Sequence, residues 1–131
     1  MTPGSVSDLK AMLVSMNPEL SPRAWCFHPM DDDALIPQTA FAMIRENEGM
    51  SCILPAEAAP VDAPRFAKIT LRVHSDLEAV GLTSAVSNTL ATSGIACNVV
   101  AALRHDHLFV PWDRRDEALR LLEKLSLDAR R

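Results

Sequence analysis

Lys68-Ile69-Thr70-Leu71-Arg72-Val73-His74 alternates apolar with polar side chains, and the rest of the chain is read outward from it. A period of two puts Ile69, Leu71 and Val73 on one face, as on a strand with a single buried side. Ser75 to Gly81 is a loop of turn formers and acids. Leu82, Ala85, Val86 and Leu90 then recur at helical spacing, and Gly94 stands where a left-handed residue would close that helix. Ile95 to Leu103 returns to strand period, with Ile95, Cys97, Val99, Ala101 and Leu103 on one face. Arg104-His105-Asp106 is a polar turn into a strand from His107 to Val110, which Pro111 ends. Ala118, Leu121, Leu122 and Leu125 form the stripe of a last helix capped near Asp113. Asp116 and Glu117 lie in its first turns, where acids favour the positive end of the helix dipole. The order is strand, helix, strand, strand, helix. A full βαββαβ unit needs one more strand, and only Asp128 to Arg131 follow Leu127. That strand must come from the first half of the chain or from a neighbouring chain.

The first half is the obvious lender. Leu9, Met12, Leu13 and Met16 mark a short amphipathic helix, with Ser5 or Ser7 as its cap and Asn17-Pro18 as its end. Pro22 leads into a strand from Ala24 to His28, and Pro29 with Asp31-Asp32-Asp33 marks a solvated loop. Thr39 to Glu46 reads as a strand, Glu48-Gly49 as a turn, and Ser51 to Leu54 as a strand stopped by Pro55. Ala56 to Ala59 adds a helical turn, and Ala56 to Pro64, with two prolines and four alanines, is the linker. Cys52-Ile53-Leu54-Pro55-Ala56-Glu57-Ala58 echoes Leu108-Phe109-Val110-Pro111 with the acids and Ala118 beyond it. Two similar units are expected, residues 1–62 and 63–131, with strands exchanged between them.

Composition narrows the function classes. The 131 residues are 48% hydrophobic and 23% charged, the mix of a folded globular chain. A net charge of −4, with no basic stripe to neutralise phosphates, argues against nucleic acid as a partner. Cys26, Cys52 and Cys97 are scattered, which fits core thiols in a reducing cytoplasm better than a disulfide framework. Residues 1–18 lack the charged start and apolar run of a signal peptide, and no stretch approaches the ~20 apolar residues of a membrane span. No GxSxG, HExxH or phosphate-cradling glycine loop is present, so neither catalytic residues nor a cofactor is expected.

Two long stretches carry a family resemblance: Leu71-Arg72-Val73-His74-Ser75-Asp76-Leu77-Glu78-Ala79-Val80-Gly81-Leu82-Thr83-Ser84-Ala85-Val86-Ser87, and Gly94 to Ala101 continuing through His105-Asp106-His107-Leu108-Phe109-Val110-Pro111. With Glu48-Gly49-Met50-Ser51-Cys52-Ile53-Leu54-Pro55 added, the chain resembles the small bacterial proteins built of two ACT-like units. The resemblance implies a ferredoxin-like α+β fold with antiparallel sheets, and a non-enzymatic regulatory domain that binds a small effector, an amino acid, between units. In the aspartate-kinase type, the loop after the first strand, the start of the next helix and a residue on the following strand hold the effector. Carried over, those positions are Asp76, Leu77, Gly81 and Leu82, with Asn98 and Val99 across from them. The chain departs from the usual arrangement in carrying no enzyme domain to regulate.

Each site residue also has a plain reading. Gly81 at a helix start lets a ligand approach free N–H groups, and Asp76 could take its ammonium group; alternatively Asp76 caps an ordinary turn and Gly81 shapes it. Asn98 either bonds a ligand through its amide or meets water, since the strand period sets it opposite Cys97 and Val99. His105 and His107 share a face, but without a third and fourth ligand they make a polar turn rather than a metal site. Open sheet edges point to a homodimer. The rival reading is a ligand-free module whose sheet docks a protein partner.

Overall fold

The structure, a computed structural model, describes residues 4–31 and 37–131. Asp32 and Asp33 of the acidic run therefore lie outside the described residues. The elements are α1 (Leu9–Val14), β1 (Pro18–Met30), β2 (Ala42–Glu46), β3 (Gly49–Pro55), β4 (Phe66–Leu71), α2 (Leu82–Thr92), β5 (Asn98–Ala101), β6 (Asp106–Pro111) and α3 (Arg115–Ala129). Short 3-10 turns, Ala56–Ala58 and Trp112–Arg114, follow β3 and β6. The fold is α+β, two ACT-like units sharing one six-stranded sheet of order β2-β3-β1-β4-β6-β5, with every neighbouring pair antiparallel.

The missing strand is β1. Pro18 to Leu20 pair with Leu71 to Ile69, and Ala24 and Trp25 with Ala67 and Phe66, so β1 lies on the side of β4 away from β6. The strand exchange expected from the sequence is thus made within one chain. β1 runs far beyond the expected Ala24–His28 and contains three prolines. Proline cannot donate a ladder hydrogen bond, so each sits where none is needed. Pro18 opens the strand, Pro22 falls in the irregularity between Leu20 and Ala24, and Pro29 lies past the end of the β4 pairing.

All three helices pack on one face. Met12 and Met16 join Ala67, Ile69, Leu71, Leu82, Val86, Leu90, Leu108, Val110, Ala118 and Leu122 in the main core. α1 is capped by Asp8, which accepts from the Ala11 N–H at 2.9 Å, and neither Ser5 nor Ser7 has that role. Asn17 takes the left-handed conformation (φ 43°) between α1 and β1. α2 ends in a Schellman arrangement: the Gly94 N–H donates to the Ala91 carbonyl at 2.9 Å and the Ile95 N–H to the Leu90 carbonyl at 3.0 Å. Leu90 and Ile95 are both buried there, the apolar contact that accompanies this cap. β5 is shorter than its alternation suggests, for Leu103 is 51% exposed in the turn before β6. α3 starts from the 3-10 turn without a side-chain cap, so Asp113 does not have the role expected of it.

The helix-free face gathers the aromatics. Trp25, Ile53 and Phe109 are buried there, with Phe41, Phe66 and Val100 packed against them. Phe27 meets Phe66 and Phe109 edge-on at 5.3 and 5.4 Å, so all four phenylalanines join this second cluster.

Candidate functional site

The 75–81 loop is held by the N-terminal segment. The Val6 N–H donates to the His74 carbonyl at 2.7 Å, and the Asp76 N–H donates to the Val6 carbonyl at 2.9 Å. Asp76 then turns the chain on itself: its Oδ1 accepts from the Glu78 N–H at 2.9 Å and its carbonyl from the Ala79 N–H at 2.9 Å. Its carboxylate is thus engaged by the loop's own backbone. Gly81 has φ 112°, a conformation open to glycine and costly for other residues, and α2 begins there without a side-chain cap. The first N–H groups of α2 are accordingly left to another acceptor.

Beside this loop lies a cavity of about 180 Å³, lined by Ser75, Asp76, Leu77, Ala79, Gly81, Leu82 and Thr83 with Met12, Ala101 and Asp106. Four of the expected site residues are therefore brought together. Leu82 is buried, whereas Leu77 is 62% exposed.

Asn98 and Val99 do not line this cavity. Val99 and Ala101 pair with Leu108 and Asp106, while Asn98 pairs with Phe109 on the opposite, aromatic face. The Asn98 amide donates to the Phe109 carbonyl at 3.4 Å, and Val99 packs against the main core. Ala101 and Asp106 stand where the resemblance put Asn98 and Val99. Burial raises the Asp106 carboxyl above its ordinary pKa, while a hydrogen bond from the Ser75 side chain and the charge of His105 act the other way. The residues that sequence reasoning missed are thus Asp106, read as part of a turn, and Met12, read as core. Counting by twos from Val99 reaches Ala101 and its partner Asp106; nothing local connects Met12 to this place.

A larger groove of about 720 Å³ lies on the helix side of the first half, among His28, Met30, Asp31, Glu46, Glu48, Met50 and Leu54. On the other face, Lys68 Nζ sits 4.8 Å from the Trp25 ring and 4.4 Å from the Phe41 ring. His107 is bonded through Nδ1 to Thr70 Oγ1 at 2.9 Å. Burial, then the nearby Lys68, His105 and Arg72, push its pKa down to about 4, so it is neutral at pH 7. His105 lies 6.4 Å from His107 and from His74, ring centre to ring centre. Among the described residues no three histidine, cysteine or acidic side chains come together as a metal site. Burial raises the Cys26 and Cys97 thiols, keeping both in the unreactive thiol form. No helix among the described residues is long and apolar enough to cross a membrane.

Comparison with known proteins follows this geometry. The ACT domain family matches residues 4–64 and, through a second ACT domain family, residues 63–124. A protein of unknown function from Vibrio cholerae, described as a possible transport protein, is 38% identical over 90% of this chain and 95% of its own, with a TM-score of 0.78. A protein from Agrobacterium tumefaciens matches at 19% identity over 79% and 84% of the two chains, with a TM-score of 0.63. The ligand-free regulatory subunit of aspartate kinase from Thermus thermophilus has the same fold at 12% identity, over 85% and 97%, with a TM-score of 0.62. No curated protein matches the chain significantly. ACT domains are typically regulatory, ligand-binding units rather than catalytic ones. With an ACT match on each half and a 38% identical relative along nine-tenths of its length, the chain belongs to the small tandem ACT-domain proteins.

Proposed function

We propose that this chain is a non-enzymatic effector sensor of the cytoplasm, and that it binds an amino acid between its two units, residues 1–62 and 63–131. The observation that carries the reading is the cavity beside Gly81, because its wall combines Met12 of the first unit with the 75–81 loop, α2, β5 and β6 of the second. An amino acid's carboxylate would meet the free N–H groups at the start of α2, and its ammonium group would meet Asp106. Asp76 serves the site by shaping the loop. Leu77 and Leu82 supply apolar wall, while Asn98 and Val99 support the strand that carries Ala101.

Calorimetric titration and thermal-shift measurements against the proteinogenic amino acids test this. A true effector at a hundred times its Kd should stabilise the fold by about 2.7 kcal/mol. Silence from all of them at millimolar concentration, in both measurements, would rule the reading out.

A second reading has its own support. Leu77 and Val80 are 62% and 83% exposed on the same loop, which favours a module that docks a protein partner. The homodimer reading rests instead on the open β2 edge, where Met43 and Ile44 are both largely exposed. Light scattering of the wild type and of Leu77→Asp and Ile44→Asp separates these: loss of a dimer with one substitution locates the interface.

A further inference from the structure

The helix-free face of the sheet is concave. Phe41, just ahead of β2, donates its N–H to the Ile53 carbonyl on β3 at 2.8 Å, yet its ring centre lies 4.8 Å from that of His107 on β6. β2 and β6 are four intervals apart in the strand order, about 19 Å in a flat sheet. Two side chains do not span that distance, so the sheet curls until its margins share one cluster. Ala42 of β2 and Val100 of β5 accordingly pack against the same group of Trp25, Ile53 and Phe109.

One cation stands in this hollow. Lys68 Nζ, carried on β4, lies between the Trp25 and Phe41 rings at the distances given above, and the residue is partly buried. Among the described residues no ion pair and no hydrogen bond engages its ammonium group. Burial lowers its pKa, Glu19 raises it through charge alone, and Arg23 lowers it further. A second donor lies on the same ring stack. The Trp25 indole N–H is buried without an acceptor among the described residues, a state that costs about 1–3 kcal/mol.

Apolar surface adjoins the two donors. Phe27 is 40% exposed; it meets Phe66 edge-on, and also Phe109, the cross-strand partner of Lys68. A small inorganic anion would leave Phe27 uncovered, and a neutral ring would leave Lys68 without a partner. A ligand that carries both an anion and a ring suits both features.

We propose that this concave face is a ligand site for an aromatic carboxylate, whose carboxylate group meets Lys68 and whose ring lies edge-on to Phe27 and Phe66. It is on the opposite side of the sheet from the cavity beside Gly81, and it does not rest on the effector reading of that cavity.

The test is titration of the full, isotope-labelled chain with phenylacetate, read by calorimetry and by the indole N–H resonances of the two tryptophans. Acetate and phenethylamine are the controls, one lacking the ring and the other the carboxylate. The Trp25 resonance should move with phenylacetate, while that of Trp112, which packs against the main core, should stay; Trp112→Phe assigns the two. Both controls should bind at least about tenfold more weakly, and Lys68→Met should weaken phenylacetate by at least about tenfold, the loss of one charge-assisted hydrogen bond. Phe27→Ala should weaken it about threefold or more, as for one aromatic pair. Phe27 is on the surface, so that variant carries the test if Lys68→Met does not fold. No phenylacetate binding at millimolar concentration, or binding that Lys68→Met leaves undiminished, overturns the site. Acetate or phenethylamine bound as tightly as phenylacetate, or an affinity that Phe27→Ala leaves unmoved, overturns the ligand class.

Discussion

Strands β1, β3 and β2 on one side of the sheet match β4, β6 and β5 on the other. Trp25 pairs with Pro55 and with Phe66, and Phe66 pairs in turn with Pro111. Pro55 (φ −54°, ψ 141°) and Pro111 (φ −53°, ψ 135°) have nearly the same backbone, and each introduces a 3-10 turn. From there the halves diverge. After β6 the turn continues into the fifteen-residue α3, whereas after β3 it stops at three residues. α1, which belongs to the first half, packs instead with the helices of the second. One half therefore has three helices over its strands and a cavity of about 180 Å³, and the other has a groove four times larger. What the strands enclose depends on the helices laid over them.

The largest effect should come from the cover itself. Leu122→Ala on α3, at a fully buried position, should cost about 3 kcal/mol in urea denaturation. Met50→Ala, buried with Cys52 and Leu54 on the wall of the groove, should cost about 2 kcal/mol, the low end for a core methionine, because fewer neighbours surround it. Equal losses would mean that the first half is packed as tightly as the second, and the contrast would break.

Gly81 and Gly49 sharpen it at the backbone. Both have positive φ, at 112° and 144°, but Leu9 crowds the β-carbon position of Gly81 while that of Gly49 is free. Gly81→Ala should destabilise by about 2–3 kcal/mol and Gly49→Ala by about 1 kcal/mol. Similar values would show that the Leu9 side chain yields to a β-carbon at Gly81.

A third contrast is in pH. His107 on β6 occupies the place that Ser51 has on β3, by the registers of the two halves. Its folded pKa of about 4 lies below the unfolded value near 6.5, so acid favours the unfolded chain. Its contribution is complete above about pH 6.5 and is lost as pH falls toward 4, by on the order of 2 kcal/mol. His107→Gln should flatten that part of the profile. The smallest effect belongs to the exposed Lys124–Asp128 pair on α3: Lys124→Ala should leave the urea midpoint where it is.

The second half was legible because its signals are local. Alternation over residues 68–74, the stripe of α2 and the glycine that closes it follow from periods of 2.0 and 3.6 and one backbone preference. β1 was hard to read because proline usually breaks strands, and its tolerance here depends on which neighbours pair with it. β5 was overextended because its alternation outlasts its pairing, leaving Leu103 in a turn. At the candidate site, the acids and glycine of the 75–81 loop were visible in the sequence. Met12 and Asp106 reach the cavity through α1 crossing to the second half and through the β4–β6 register, which the local pattern does not contain.

The central β1–β4 pair also sets a schedule for the chain as it is made. β1 is complete at Met30, but its partner, residues Phe66–Leu71, is synthesised about 40 residues later, a delay of several seconds at ~5–20 residues per second. Once Pro55 has been made, β1, β3 and β2 can already form a three-stranded antiparallel sheet with β3 in the middle, whose β1 margin has no neighbour and whose Trp25 and Phe27 lack their later partners Phe66 and Phe109. Nascent chains on the same message would present identical bare margins to one another, so yield should fall as ribosomes crowd together and recover when translation is initiated sparingly.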